Sequence, residues 1–142
     1  MDRLFFDTNV LLDVLEQRAP WFPESSACLG LAQEGKVAGA ISAISLSDIS
    51  YIQRGTDAGK IHDVFSRLVD FLEIAPLSGQ VVRSALARRL PDIEDGFQLE
   101  AAIHWQATHL ITRNPKDYVG DFPVRILQPS EYLKSCLGSS CC

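Results

Sequence analysis

Leu4-Phe5-Phe6-Asp7-Thr8-Asn9-Val10-Leu11-Leu12-Asp13 stands near the start of the chain. Its first three residues are a short apolar run that ends on a carboxylate. Such a run reads as a buried parallel strand. Val10, Leu11, Val14 and Leu15 then recur at helical spacing. The stretch is therefore a strand, an aspartate and a helix. In open α/β sheets, ligands bind beyond the carboxyl ends of the strands, where strand order reverses. Asp7 is placed for that role. It can also cap the helix that follows, and the two roles are compatible.

The same alternation continues along the chain. The segment from Gln17 to Pro23 reads as a loop, because it holds Pro20 and Pro23. Ser25 to Gln33 reads as a helix stopped by Gly35. Strands are expected at Val37 to Ile41, Leu72 to Ala75, His109 to Thr112 and Val124 to Leu127. Helices are expected at Ile44 to Arg54 and along the apolar stripe Ile61, Val64, Phe65, Leu68, Val69 and Leu72. Two more are marked by Val82, Ala85 and Leu86, and by Leu99, Ala102 and Ile103 from a start near Asp92. Pro129 to Leu137 is a terminal helix with proline in a favoured early position. The order β-α-α-β-α-α-β-α-α-β-β-α implies an α/β fold. A Rossmann-like, doubly wound, mainly parallel sheet carries helices on both faces.

Length and composition set the frame. At 142 residues the chain suits one domain over residues 1–135, with a flexible tail over 136–142. With 46% hydrophobic and 22% charged residues, it can bury a core without disulfides or structural zinc. Cys28, Cys136, Cys141 and Cys142 form no metal-binding spacing with His62, His104 or His109. No signal peptide and no membrane span is expected, so the default compartment is cytoplasmic. A net charge of −5 argues against a generic basic nucleic-acid-binding face. It favours docking of a basic partner.

Three acids in four residues, Asp92, Glu94 and Asp95, exceed what capping of one helix needs. Asp92 can still be the cap, with Asp95 completing a box-like pairing. Asp48 lies within a helix beside Ile44 and Ile52, and a carboxylate there needs a partner or a cation. Its bland reading pairs it with Ser45 in a cap. Asn114 and Asp117 follow the late strand and would overhang the Asp7 crevice if the two strands are neighbours. Carboxylates gathered together repel unless a cation is present, and Mg²⁺ or Mn²⁺ prefers oxygen ligands.

Four stretches together resemble the PIN-domain ribonucleases, over about Leu4 to Leu133. They are Phe5-Phe6-Asp7-Thr8-Asn9-Val10-Leu11-Leu12-Asp13, Ile41-Ser42-Ala43-Ile44-Ser45-Leu46-Ser47-Asp48-Ile49, Asp92-Ile93-Glu94-Asp95-Gly96-Phe97-Gln98 and Leu110-Ile111-Thr112-Arg113-Asn114-Pro115-Lys116-Asp117-Tyr118. The resemblance implies a Mg²⁺- or Mn²⁺-dependent endoribonuclease. Asp7, Asp48, Asp95 and Asn114 would be catalytic. Asp7, Asp95, Asp48 and Asp117 would hold metal, and Thr8, Asn9, Ser42, Asp92 and Thr112 would orient them. Asp48 stands where the family usually has Glu, and Asn114 where many members have an acid. The small size resembles the toxins of bacterial toxin–antitoxin pairs. That implies an RNA substrate, a small antitoxin partner and a homodimer.

Two other readings compete. A non-catalytic PIN-like module would bind RNA or protein through the same crevice. A phosphatase of the haloacid-dehalogenase type also places Asp after an apolar strand. It wants a second Asp two residues later, where this chain has Asn9.

Overall fold

The computed structural model describes residues 1–137. Five strands are present: β1 (Arg3–Phe6), β2 (Ala38–Ser42), β3 (Glu73–Ala75), β4 (His109–Ile111) and β5 (Arg125–Leu127). They form one sheet in the order β3-β2-β1-β4-β5, and every pairing is parallel. The helices are α1 (Thr8–Leu15), α2 (Phe22–Gln33), α3 (Ala43–Ile52), α4 (Ala58–Val69), α5 (Gly79–Arg88), α6 (Ile93–His104) and α7 (Pro129–Leu137). A short 3₁₀ turn covers Pro115–Asp117. The expected α/β architecture is the observed one.

Alternation along the strands sorts the core onto two faces. Leu4, Phe6, Ile41 and Ile111 join α1, α2, Leu68 of α4 and Tyr132 of α7 on one side. Phe5, Ala40 and Leu110 join Val81 of α5 and Leu99 of α6 on the other. Gly39 of β2 is required by close packing. A Cβ there would lie 2.7 Å from Leu72 and 2.8 Å from Ala32.

Most expected strand and helix ends shift by one or two residues, and two shifts are informative. α2 begins at Phe22 rather than Ser25, so Pro23 is helical. Proline is tolerated in a first helical turn, where its missing N–H would have no partner. α7 runs to Leu137, and Cys136 is buried in the first core cluster. The tail drawn from residue 136 therefore overlaps the helix, and the rest of it, residues 138–142, lies outside the described residues. Among the described residues, no helix is long and apolar enough to cross a membrane.

Candidate active site

The sheet order reverses between β1 and β4. Chain connections run outward from β1 to β2 and β3, then cross to β4 and β5. Asp7 follows β1 and Thr112 follows β4, so both stand at this switch point. The backbone N–H of Asp7 donates to the Ile111 carbonyl at 3.0 Å, which fixes where its side chain leaves the sheet.

Four donors hold the Asp7 carboxylate. Oδ1 accepts from the Thr8 N–H at 2.8 Å and from Gln98 Nε2 at 3.3 Å. Oδ2 accepts from Thr112 Oγ1 at 2.9 Å and from the Tyr118 hydroxyl at 3.4 Å. Asp7 thus caps α1 and also projects into a crevice. Burial raises its pKa, and these four hydrogen bonds oppose that rise.

The crevice has a volume of about 350 Å³, and Asp7, Asp48, Asp92, Glu94 and Asp95 all line it. Asp48 comes from α3, and Glu94 and Asp95 from the first turn of α6. The Glu94 and Asp48 carboxyl groups are in hydrogen-bond contact, which favours a proton on Glu94. This contact, then burial and the charges of Asp48, Asp92 and Asp7, push Glu94 up to about 7. Burial first, then Asp92, Asp7 and Asp117, push Asp95 up to about 7. Tyr118 is pushed far above its ordinary value, chiefly by burial and then by Asp7.

Gln98 is the hub beneath these acids, at 1% exposure. Its Nε2 lies 3.3 Å from Asp7 Oδ1, 3.1 Å from Thr8 Oγ1 and 3.0 Å from Ser45 Oγ. Its Oε1 accepts from Ser42 Oγ at 2.7 Å. The Asp7 carboxylate, which only accepts, fixes the amide with its N–H groups facing Asp7 and its oxygen facing Ser42. Thr8 Oγ1 and Ser45 Oγ are 2.8 Å apart and complete the network.

Several expectations about single residues are settled by this geometry. Ser45 does not pair with Asp48 in a cap, because it lies inside α3 and its hydroxyl turns to Thr8 and Gln98. Asp92 does cap α6, accepting from the Glu94 and Asp95 N–H groups at 2.8 and 3.4 Å. Among the described residues, Asp95 does not complete a box with it. Its carboxylate lines the crevice instead. Thr8 and Asn9 also line the crevice, while Ser42 acts through Gln98.

Asn114 and Asp117 do not share the crevice. Both are exposed and line a neighbouring cavity with Arg113, Lys116 and Gln128. The Asn114 backbone N–H donates to Thr112 Oγ1 at 3.2 Å. The 3₁₀ turn after β4 carries the two side chains outward. Asp117 acts on Asp95 only through its charge. Gln98, Ser45 and Tyr118 are site residues that sequence reasoning missed, and Glu94 stood there only as part of an acidic first turn. A glutamine in the apolar run Phe97 to Ile103 was the signal for Gln98, since a polar group there needs partners.

The donor set is all oxygen, which suits Mg²⁺ or Mn²⁺. Among the described residues, no three His, Cys, Asp or Glu side chains form a group tight enough to hold an ion. In donor chemistry the residues that line the crevice fit a divalent cation.

Comparison with known proteins agrees with this architecture. A toxin–antitoxin complex from Klebsiella pneumoniae contains a chain of the same fold, with a TM-score of 0.69 and 24% identity. The match covers 89% of this chain and 97% of that one. VapBC2 from Rickettsia felis, bound to a DNA fragment from its promoter, matches with a TM-score of 0.66 and 17% identity. It covers 89% of this chain and 98% of that one. No curated protein matches by sequence. The sequence model of the PIN domain matches residues 3–116, from β1 through the turn after β4. The chain belongs to the PIN domain family.

Proposed function

We propose that the protein is a Mg²⁺- or Mn²⁺-dependent endoribonuclease that acts as the toxin of a toxin–antitoxin pair. One observation carries the reading. A carboxylate held by four donors faces Asp48, Glu94 and Asp95 across a single crevice at the switch point of the sheet. The elevated proton affinity at Glu94 and Asp95 marks a cluster with more negative charge than it can hold without a proton or a cation.

On this reading Asp7, Asp48 and Asp95 hold the cation, with Glu94 beside them. When bound, Mg²⁺ or Mn²⁺ neutralises the cluster, polarises phosphate and activates water. Thr112, Tyr118, Gln98 and the Thr8 N–H hold Asp7 in one orientation, so the ligand is preorganised. Asn114 and Lys116 line the next cavity, where they would meet the RNA strand beyond the reacting phosphate. Tyr51, Ile52 and Val69 are exposed apolar side chains on α3 and α4. They offer a surface for an antitoxin or a second copy of the chain.

Purified protein incubated with single-stranded and looped RNA tests the reading. Cleavage with Mn²⁺, lost in EDTA and lost in Asp7→Asn, is the expected result. Equal cleavage with and without EDTA would refute the metal role. RNA binding without cleavage under any divalent cation would favour the non-catalytic module.

A further inference from the structure

Trp21 is 43% exposed at the start of α2. A single exposed aromatic residue is ordinary on a protein surface. What surrounds this one is not. The Arg113 guanidinium lies over its ring, 4.2 Å from the centroid. Arg113 is set in place by Asp13, whose Oδ2 is 3.1 Å from Arg113 Nε in an ion pair without hydrogen-bond alignment. Asp13 is fully buried and its Oδ1 has no partner. A bare buried carboxylate oxygen is costly. That cost is borne where it holds one guanidinium plane against one indole. The Arg113 backbone is fixed as well, since its carbonyl accepts from Gln128 Nε2 at 3.1 Å.

The stacked pair borders a cavity of about 210 Å³, walled also by Pro20, Glu24, Ser25, Gln128, Pro129 and Ser130. That is below the ~300 Å³ at which drug-sized pockets begin, and suits one planar ring system. Arg113 and Gln128 also line the next cavity, with Asn114 and Lys116. Arg113 is the residue after Thr112, which bonds Asp7. Arg113 thus joins the Trp21 cavity to the cavity of Lys116 and stands one residue from the Thr112 that holds Asp7.

We propose that Trp21 and Arg113 form a stacking subsite for one base of the RNA strand as it leaves the acidic crevice. The inference rests on the ribonuclease reading. Single-stranded RNA is held by stacking on aromatic and guanidinium planes, and every base offers such a face. Because Asp13 already balances the charge of Arg113, the subsite contributes stacking rather than phosphate attraction. A protein partner seated on the same platform is the competing outcome.

The test is titration of a short single-stranded RNA into the full chain in EDTA, read by tryptophan fluorescence. Trp105, the other tryptophan, is buried and covered by Arg3 at 3.9 Å, so quenching reports Trp21. Trp21→Ala should weaken binding about five- to hundredfold. Trp21→Phe should keep most of the affinity. The loss should be equal at low and high salt, because no phosphate contact is removed. An oligonucleotide series with one abasic position should show one position that matters to the native chain and not to Trp21→Ala. Native RNA affinity in folded Trp21→Ala overturns the subsite, and so does a changed salt slope. If that variant instead loses only an antitoxin, the platform belongs to a protein. Cleavage by the native chain with an unchanged KM in Trp21→Ala would sink this inference alone. Neither binding nor cleavage of RNA by the native chain would sink the ribonuclease reading with it.

Discussion

Replacing Gln98 by leucine keeps the volume at the centre of the site and removes all of its hydrogen bonds. Two losses dominate. Ser42 Oγ loses its bond at 2.7 Å and is left buried without an acceptor. Asp7 Oδ1 loses a bond to a charged acceptor but keeps the Thr8 N–H. A buried unsatisfied hydroxyl costs roughly 1–3 kcal/mol, and a bond to a charged group contributes roughly 1.5–3 kcal/mol. Thr8 and Ser45 still bond each other, which limits the damage. The expected destabilisation is about 2–4 kcal/mol, or roughly a 5–15 °C fall in Tm. Urea unfolding in EDTA measures it. A packing role alone would give a similar loss, so a second reading is needed. The Gln98 bond lowers the proton affinity of Asp7 against the rise from burial. Without it Asp7 takes up a proton at higher pH, and the acid limb of the cleavage profile moves to higher pH. A folded Gln98→Leu protein with the native acid limb would show that Gln98 only fills space.

Metal-free protein should be more stable at pH 5 than at pH 8. Glu94 and Asp95 keep protons up to about 7 when folded, against ordinary values of 4.5 and 3.8. The folded state therefore binds more protons across that window, and stability falls as pH rises through it. Mn²⁺ at pH 8 should restore the loss; a flat thermal profile in EDTA would refute the repulsion. Asp7→Asn should fold and unfold at higher temperature than the native chain in EDTA at pH 7.5. Its amide oxygen can face Thr8 and Gln98, while the hydroxyls of Thr112 and Tyr118 turn to accept from its NH₂. A large destabilisation in that variant would mean the charge is structural.

Local sequence was most informative where one short period decides the outcome. Leu4-Phe5-Phe6 must be a strand buried on both sides, and its alternation places Leu4 and Phe6 against α1 and Phe5 against α6. Asp7 was legible because it ends that strand. Glu94 and Gln98 were not, because their meaning depends on how α6 is rotated over the sheet. Residues 94, 95 and 98 share one side of the helix at spacings of three and four. In sequence they read as an acidic first turn followed by a polar interruption. Only the packing of α6 on α5 and over the sheet, with Leu99 in the cluster that holds Phe5, turns them toward Asp7. Asn114 and Asp117 failed in the opposite way. Their distance from the strand end was visible, but the 3₁₀ turn that swings them into the next cavity was not.

The Asp48–Glu94 contact gives the departure at Asp48 a physical meaning. Asp is one methylene shorter than Glu, which withdraws its carboxylate by roughly 1.5 Å. Glu94 enters from the opposite wall of the crevice and carries the extra methylene that α3 lacks. The two carboxyl groups meet in a hydrogen bond, which raises the proton affinity of Glu94. A proton and a divalent cation therefore compete for the same oxygens. Below about pH 7 the proton on Glu94 is favoured and the pair carries a single negative charge. Above it, a second negative charge appears beside Asp7 and Asp95, and cation binding becomes the only nearby source of neutralisation. Metal affinity in this chain should therefore rise with pH through the range near 7 in which Glu94 gives up its proton.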